Sequence, residues 1–279
     1  MARLRARVEA VDSMLCVGLD SAVGRMPERF READRPQLAF NRWIIEQTHP
    51  YVAAYKPNMA FYEARGAAGW AELAETLAYL RSVEPRIFTI CDAKRADIDS
   101  TNEGYVTGLL DEFGFDAVTL HPYLGREALR PFLERADRAC IVLCRTSNAG
   151  AGELQDLNVG ETPLWEVVAQ RVRDDWNEAS NCMLVIGATY PAELARAREL
   201  CPDMTFLVPG VGAQGGAVGD VVRAGLDARG RGMLITASRS VIFSDDPGAE
   251  ARRLRDAIRA AAADRQALVS RTVNSTGTP

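Results

Sequence analysis

The sequence predicts a single (β/α)8 (TIM) barrel over residues 1–279, and three observations lead there. Eight short apolar runs alternate with amphipathic stretches along the chain, the pattern of a parallel sheet covered by helices. With 279 residues, 47% of them hydrophobic, the chain can bury one core of barrel size. Most of the apolar runs also end in polar or charged residues on the C-terminal side, where such a barrel gathers its chemistry. An open doubly wound sheet would use the same alternation. Eight units in a chain of this length favour closure.

The strand candidates are 14–20, 53–59, 86–94, 117–122, 139–146, 182–189, 205–212 and 233–239. Most are apolar on both faces, as strands between two layers must be. The helical stretches include 69–83, 163–178 and Pro191–Leu200. Ser100 with Glu103 reads as a capping box, and Thr162-Pro163 and Asp246-Pro247 each place a cap before a proline at the first helical position. From about Asp264 the apolar periodicity fades, which predicts a frayed tail.

Composition narrows the function. A net charge of −5 argues against non-specific nucleic-acid binding, which needs a basic face. No apolar run reaches the roughly 18 to 20 residues of a membrane span. The basic N-terminus has no apolar core of signal-peptide length behind it, so a cytoplasmic protein is expected. The six cysteines contain no CxxC pair, and Cys16, Cys91, Cys140, Cys144 and Cys182 lie in apolar runs. With only His49 and His121 beside them, neither a Cys/His zinc site nor serine–histidine chemistry is indicated, and no metal is expected.

The third apolar run ends in Asp92-Ala93-Lys94, with Asp97 following where the chain leaves the sheet. Residues two apart on a strand share a side, so Asp92 and Lys94 project together. Two carboxylates around a lysine can hold its ammonium where negative charge develops in a reaction. A strand-end salt bridge is the structural alternative. Other strand ends supply Asp20, Lys56, His121, Thr146-Ser147-Asn148 and Arg239. His121, beside Pro122, reads better as a structural hydrogen-bonding residue than as an acid or base.

The loops after the seventh and eighth strands read as a phosphate site. Pro209-Gly-Val-Gly-Ala-Gln214-Gly-Gly lets backbone approach an anion closely, and Arg239 offers a guanidinium for bidentate contact. The longest loop, 146–158, has the character of a lid, with Ser147 near its base.

Assembled, these motifs resemble the orotidine 5′-phosphate decarboxylase family, in its longer bacterial subgroup. The matching segments are Val17-Gly-Leu-Asp20, Tyr55-Lys56-Pro-Asn, Cys91-Asp-Ala-Lys-Arg-Ala-Asp-Ile98, Ser100-Thr101, Arg145-Thr-Ser147-Asn, Val185-Ile-Gly-Ala-Thr-Tyr-Pro, Pro209 to Gly216, and Ser238-Arg239. Ala96, where that subgroup would have glycine, and Ala237-Ser-Arg-Ser are small departures. The resemblance implies a cofactor-independent loss of CO2 from orotidine 5′-phosphate. Lys94, Asp92, Lys56 and Asp97 would form the catalytic charge network. It also implies a homodimer in which Asp97 and Thr101 reach the partner's site. Asp20 and Lys56 would meet the ribose, Ser147 the pyrimidine edge, and Pro209, Gln214 and Arg239 the phosphate end. Two rivals stand beside it. A metal-dependent sugar-phosphate enzyme would use the same DxKxxD strand, but Lys56-Pro57-Asn58 stands where it would need another carboxylate. A catalytically idle nucleotide binder would have little use for so costly a charge cluster.

Overall fold

The computed structural model describes residues 1–83, 87–210 and 218–275. Eight parallel strands close a barrel: β1 (Leu15–Leu19), β2 (Ala54–Pro57), β3 (Phe88–Arg95), β4 (Ala117–Leu120), β5 (Ala139–Arg145), β6 (Cys182–Ile186), β7 (Thr205–Pro209) and β8 (Met233–Ala237). Each pairs with the next in sequence, and β1 pairs with β8 to close the ring. Every predicted strand is present, one to three residues shorter than its predicted run at the C-terminal end in all but β3, which runs one residue further.

Two apolar layers explain why both strand faces are hydrophobic. Cys16, Ala54, Phe88, Ile90, Ala117, Ile141, Met183, Val185, Leu207 and Leu234 fill the barrel interior. Leu15, Val17, Tyr55, Cys91, Val118, Val142, Leu184, Phe206 and Ile235 pack outward under the helices. Small interior residues (Cys16, Ala54, Ala117, Ala139) alternate with larger ones, which lets the layers interdigitate.

The lower end is closed by a helix that the sequence reading did not identify. Helix Ala2–Val11 places Leu4, with Met1 and Val8, against the interior cluster. Arg7 clamps it by donating to the carbonyls of Val52 at 3.1 Å and His49 at 2.6 Å. Arg3 donates to Asp116 at 2.7 Å.

Several local expectations change. Helix Asp99–Val106 starts from Ile98 with no side-chain cap, so the Ser100/Glu103 box does not form. Its entry is fixed instead by Asn102, which accepts from the Asp97 N–H at 2.9 Å and donates to the Asp97 carbonyl. Pro163 lies one position outside helix Leu164–Arg171, because Thr162–Pro163 is taken up in a short antiparallel pairing with Asn158–Val159. The Asp246 cap does form: its carboxylate accepts the Ala249 N–H at 2.8 Å, and Pro247 opens the last helix. That helix runs on to Ser275, past the point near Asp264 where fraying is expected. Arg265 donating to the Leu226 carbonyl at 2.8 Å ties that region to the barrel wall. All six cysteines are free and buried, and burial pushes the Cys16 thiol up to about 12 and Cys201 to about 11. No helix among the described residues is long and apolar enough to cross a membrane.

Truncating the lower plug should cost stability without touching the upper end of the barrel. Leu4→Ala removes a fully packed side chain, so unfolding in urea should show a loss of about 2–4 kcal/mol. The same protein should keep its native far-ultraviolet dichroism.

Candidate active site

The interior face changes character at its upper end. One inward step beyond Ala54, Ile90 and Ala117 come Lys56, Asp92 and Thr119, so three neighbouring strands exchange apolar for polar side chains toward their C-terminal ends. Lys56 donates to Asp92 Oδ2 at 2.6 Å, and Lys94 donates to Asp92 Oδ1 at 2.7 Å. One carboxylate therefore serves two ammonium groups. Lys56 and Asp92 are buried, while the Lys94 side chain is 49% exposed and faces open space.

A distortion in β3 makes this geometry. Cys91 pairs with Val118 and Arg95 with Leu120, so four steps along β3 span two along β4. The surplus residues bulge, and Lys94 takes the left-handed conformation with φ 49°. A bulge re-aims side chains at a strand end. Flat pleating would also set Asp92 and Lys94 on one side, but it would not bring the Lys94 ammonium back onto its neighbour's carboxylate. Thr119 holds the bulge, accepting the Lys94 N–H at 2.9 Å and donating to Asp92 Oδ1 at 3.0 Å.

The electrostatics follow from the pairing. Burial works to raise the Asp92 carboxyl, but the Lys56 and then the Lys94 ammonium outweigh it and hold Asp92 well below the ordinary carboxylate value. Burial likewise works to lower Lys56, and Asp92 followed by Asp20 overcomes it, holding the ammonium above its usual range. Lys56 and Asp92 stay ionised together over the whole physiological range.

Lys56, Asp92, Lys94, Ser147 and Pro209 all line one cavity of about 720 Å³ at the barrel mouth. Its walls include Leu143, Val185 and Leu207 from the strands. Ser147 sits at the base of the loop after β5, which contains a short helix, Gly152–Gln155, and the small antiparallel pair. Gln155 fastens that base by accepting the Thr146 N–H at 2.9 Å and donating to its hydroxyl at 2.8 Å. Arg145 anchors the loop from below through Asp156 at 2.8 Å, and is itself held by a bidentate pair with Glu193 at 2.7 and 2.8 Å.

Asp20, just beyond β1, accepts from Ser238 at 2.5 Å through Oδ2. Its Oδ1 is buried without a hydrogen-bond partner. Gly18 is required beneath this contact, since a Cβ there would come 2.8 Å from the Ser238 Cβ. Arg239, next along, is exposed at the start of the short helix Arg239–Ile242. Asp97 and Thr101 stand apart from this cluster. The Asp97 carboxylate accepts the Ile98 N–H at 2.7 Å, Ile98 is 56% exposed, and Thr101 faces outward on the following helix. Gln214 lies outside the described residues.

Sequence reasoning missed Thr119 and the Ser238 contact to Asp20. A lone threonine inside the apolar run Ala-Val-Thr-Leu, two residues beyond the interior Ala117, is the signal that could have found the first. Among the described residues no group of three His, Cys, Asp or Glu side chains is placed to hold a metal ion.

Proteins of similar sequence and known structure share this barrel. A sequence model described as the orotidine 5′-phosphate decarboxylase / HUMPS family matches residues 13–254. The chain is 46% identical over 237 residues to the orotidine 5′-phosphate decarboxylase of Cellvibrio japonicus, covering 84% of this chain and 86% of that one. It is 45% identical over 270 residues to the one from Herpetosiphon aurantiacus, covering 96% and 98%. Among solved structures it is similar to the OMP decarboxylase of Leishmania donovani, with a TM-score of 0.84, 41% identity, and coverage of 94% of this chain and 97% of that one.

The buried pair sets a pH and stability expectation. Asp92→Asn leaves Lys56 buried with its nearest counter-charge gone, so unfolding free energy at neutral pH should fall by roughly 3–5 kcal/mol. Because Asp92 is depressed on folding, its contribution is present above the ordinary value of 3.8 and is lost as pH falls below it. The melting temperature between pH 5 and pH 3 should therefore drop less steeply in Asp92→Asn than in the parent chain.

Proposed function

The chain belongs to the orotidine 5′-phosphate decarboxylase / HUMPS family, and on that premise we propose that it converts orotidine 5′-phosphate to uridine 5′-phosphate and CO2 in de novo pyrimidine biosynthesis, as a cytoplasmic carboxy-lyase. The observation that carries this reading is the Asp92 carboxylate shared between Lys56 and Lys94 at the floor of the mouth cavity. In this reading the bond from C6 to the carboxylate breaks and its electron pair stays at C6. No adjacent carbonyl can accept it. A fixed cation must therefore stand beside C6, and the Lys94 ammonium, held by Asp92 and open to the cavity, supplies both the positive charge and the proton that completes the product. Lys94 then regains a proton from solvent. Asp92 opposes the substrate carboxylate in the bound state and is relieved as neutral CO2 departs.

The rest of the site supports the same substrate. The unpartnered Oδ1 of Asp20 is an acceptor without a donor, which suits a ribose hydroxyl, with Lys56 beside it. Ser147 at the base of the loop suits a pyrimidine edge. Pro209 ends β7, and Gln214 and Arg239 follow β7 and β8 in sequence, where barrels of this kind bind phosphate. Binding energy from that remote group can be used to close the loop and exclude water from the charged floor. Asp97 and Thr101 would act in a second protomer of a homodimer. Neither lines the cavity of its own chain, Thr101 is exposed and Asp97 half-buried beside the exposed Ile98, which supports that assignment. The reaction is proposed to need no metal or cofactor, since both Asp92 oxygens already engage ammonium groups and Lys56 occupies the neighbouring strand end.

Purified protein should deplete orotidine 5′-phosphate, followed by ultraviolet absorbance, at a rate unchanged by excess EDTA. Loss of turnover with EDTA, or turnover of a sugar phosphate with Mg²⁺ instead, would overturn the reading. Lys94→Ala should abolish turnover in a folded protein. Arg239→Ala should lower kcat/KM by roughly 3 kcal/mol, about 100-fold, as expected for a lost charged contact; an unchanged kcat/KM would remove Arg239 from the phosphate site.

A further inference from the structure

Thr119 stands between the two residues on which the proposed chemistry depends. It is 1% exposed and contributes to the cavity floor. Its hydroxyl accepts the Lys94 N–H at 2.9 Å and faces Asp92 Oδ1 at 3.0 Å, with the Cys91 carbonyl farther off at 3.5 Å. A hydroxyl has one proton and two lone pairs, so it can receive from one residue and donate to another at the same time. Two features make both bonds necessary. The left-handed conformation of Lys94 is unfavourable for a side chain with a Cβ and persists only where its surroundings hold it. The slip in register between β3 and β4 also removes the regular ladder bonds that would otherwise fix the backbone there.

We propose that Thr119 is a positioning residue for the decarboxylation, locking the β3 bulge through the Lys94 N–H and orienting the Asp92 carboxylate that aims the Lys94 ammonium at C6. This inference rests on the decarboxylase reading above. Thr119 acts through its neighbours. Its loss leaves Lys56, the ribose contacts and the phosphate contacts in place, so binding survives and the placement of one ammonium suffers. A misplacement of about 1 Å can cost on the order of 100-fold in rate.

The test compares Thr119→Val, nearly the same shape with no hydroxyl, and Thr119→Ser, which keeps the hydroxyl and loses only a methyl. Thr119→Val should show kcat lowered by about 10- to 100-fold, with KM for orotidine 5′-phosphate within about threefold of the parent. Thr119→Ser should recover most of the loss. A Thr119→Val protein with kcat within about twofold of the parent would overturn the inference, as would a Thr119→Ser protein as impaired as the valine variant, because that pattern follows packing and not the hydroxyl. Should Thr119→Val fail to fold, Thr119→Ala is read by the same criteria. The parent enzyme in the same assay separates the two levels. No turnover by the parent rejects the decarboxylase reading, whereas turnover by the parent with an unaffected valine variant rejects only the role of Thr119.

Discussion

One carboxylate between two lysines is the constraint around which the upper half of this barrel is arranged. Removing a charge from water is costly, and burying Lys56 is tolerable only because Asp92 meets it at 2.6 Å. That contact requires β2 and β3 to be neighbours, and because Asp92 pairs with Asn58, Lys56 stands two residues short of it and reaches forward to the carboxylate. Asp92 in turn needs its second oxygen satisfied, and β3 bulges to bring Lys94 to it. Thr119 joins this polar layer at the floor, and Leu143, Val185 and Leu207 form the apolar wall around it.

The barrel itself was legible because its strands are buried on both faces and so read as apolar runs in any register. The candidate charges were legible as well, since Asp92, Lys94 and Lys56 end such runs. The argument from strand period placed Asp92 and Lys94 on one side, and they do meet. They meet through a bulge, however, and the residue that fixes it, Thr119, lies on another strand 25 residues from Lys94. A period-two pattern within one strand cannot express a bond whose partner is set by register with the next. The Ser238 contact to Asp20 was hidden for the same reason, since it joins the two strands that close the ring.

Elements stabilised by tertiary contacts were the least legible. Helix Ala2–Val11 carries three arginines in its first six residues, which disguises it as a basic surface segment. Its role appears only when Arg7 reaches carbonyls ahead of β2 and Leu4 enters the barrel floor. The Ser100/Glu103 box failed to form for a related reason. Asn102 bonds both the N–H and the carbonyl of Asp97, and this local bridge sets the entry of the chain into the helix before a cap can.

The separation between the shared carboxylate and Asp97 bears on how the charges balance. Within one chain the floor holds two ammonium groups against Asp92, with Asp20 contributing to the field at Lys56. A site with one carboxylate directly bonded to two cations favours an anion above it, which suits the carboxylate-bearing substrate proposed here. It would also hold that substrate too comfortably to promote loss of CO2, because uniform binding of ground and transition states does not raise kcat. A second carboxylate supplied from outside the chain, as proposed for Asp97 of a partner protomer, would oppose the substrate's carboxylate and leave the Lys94 charge for the developing carbanion. In that arrangement the dimer is part of the catalytic electrostatics, and assembly places the second carboxylate where the fold of one chain leaves it out of reach.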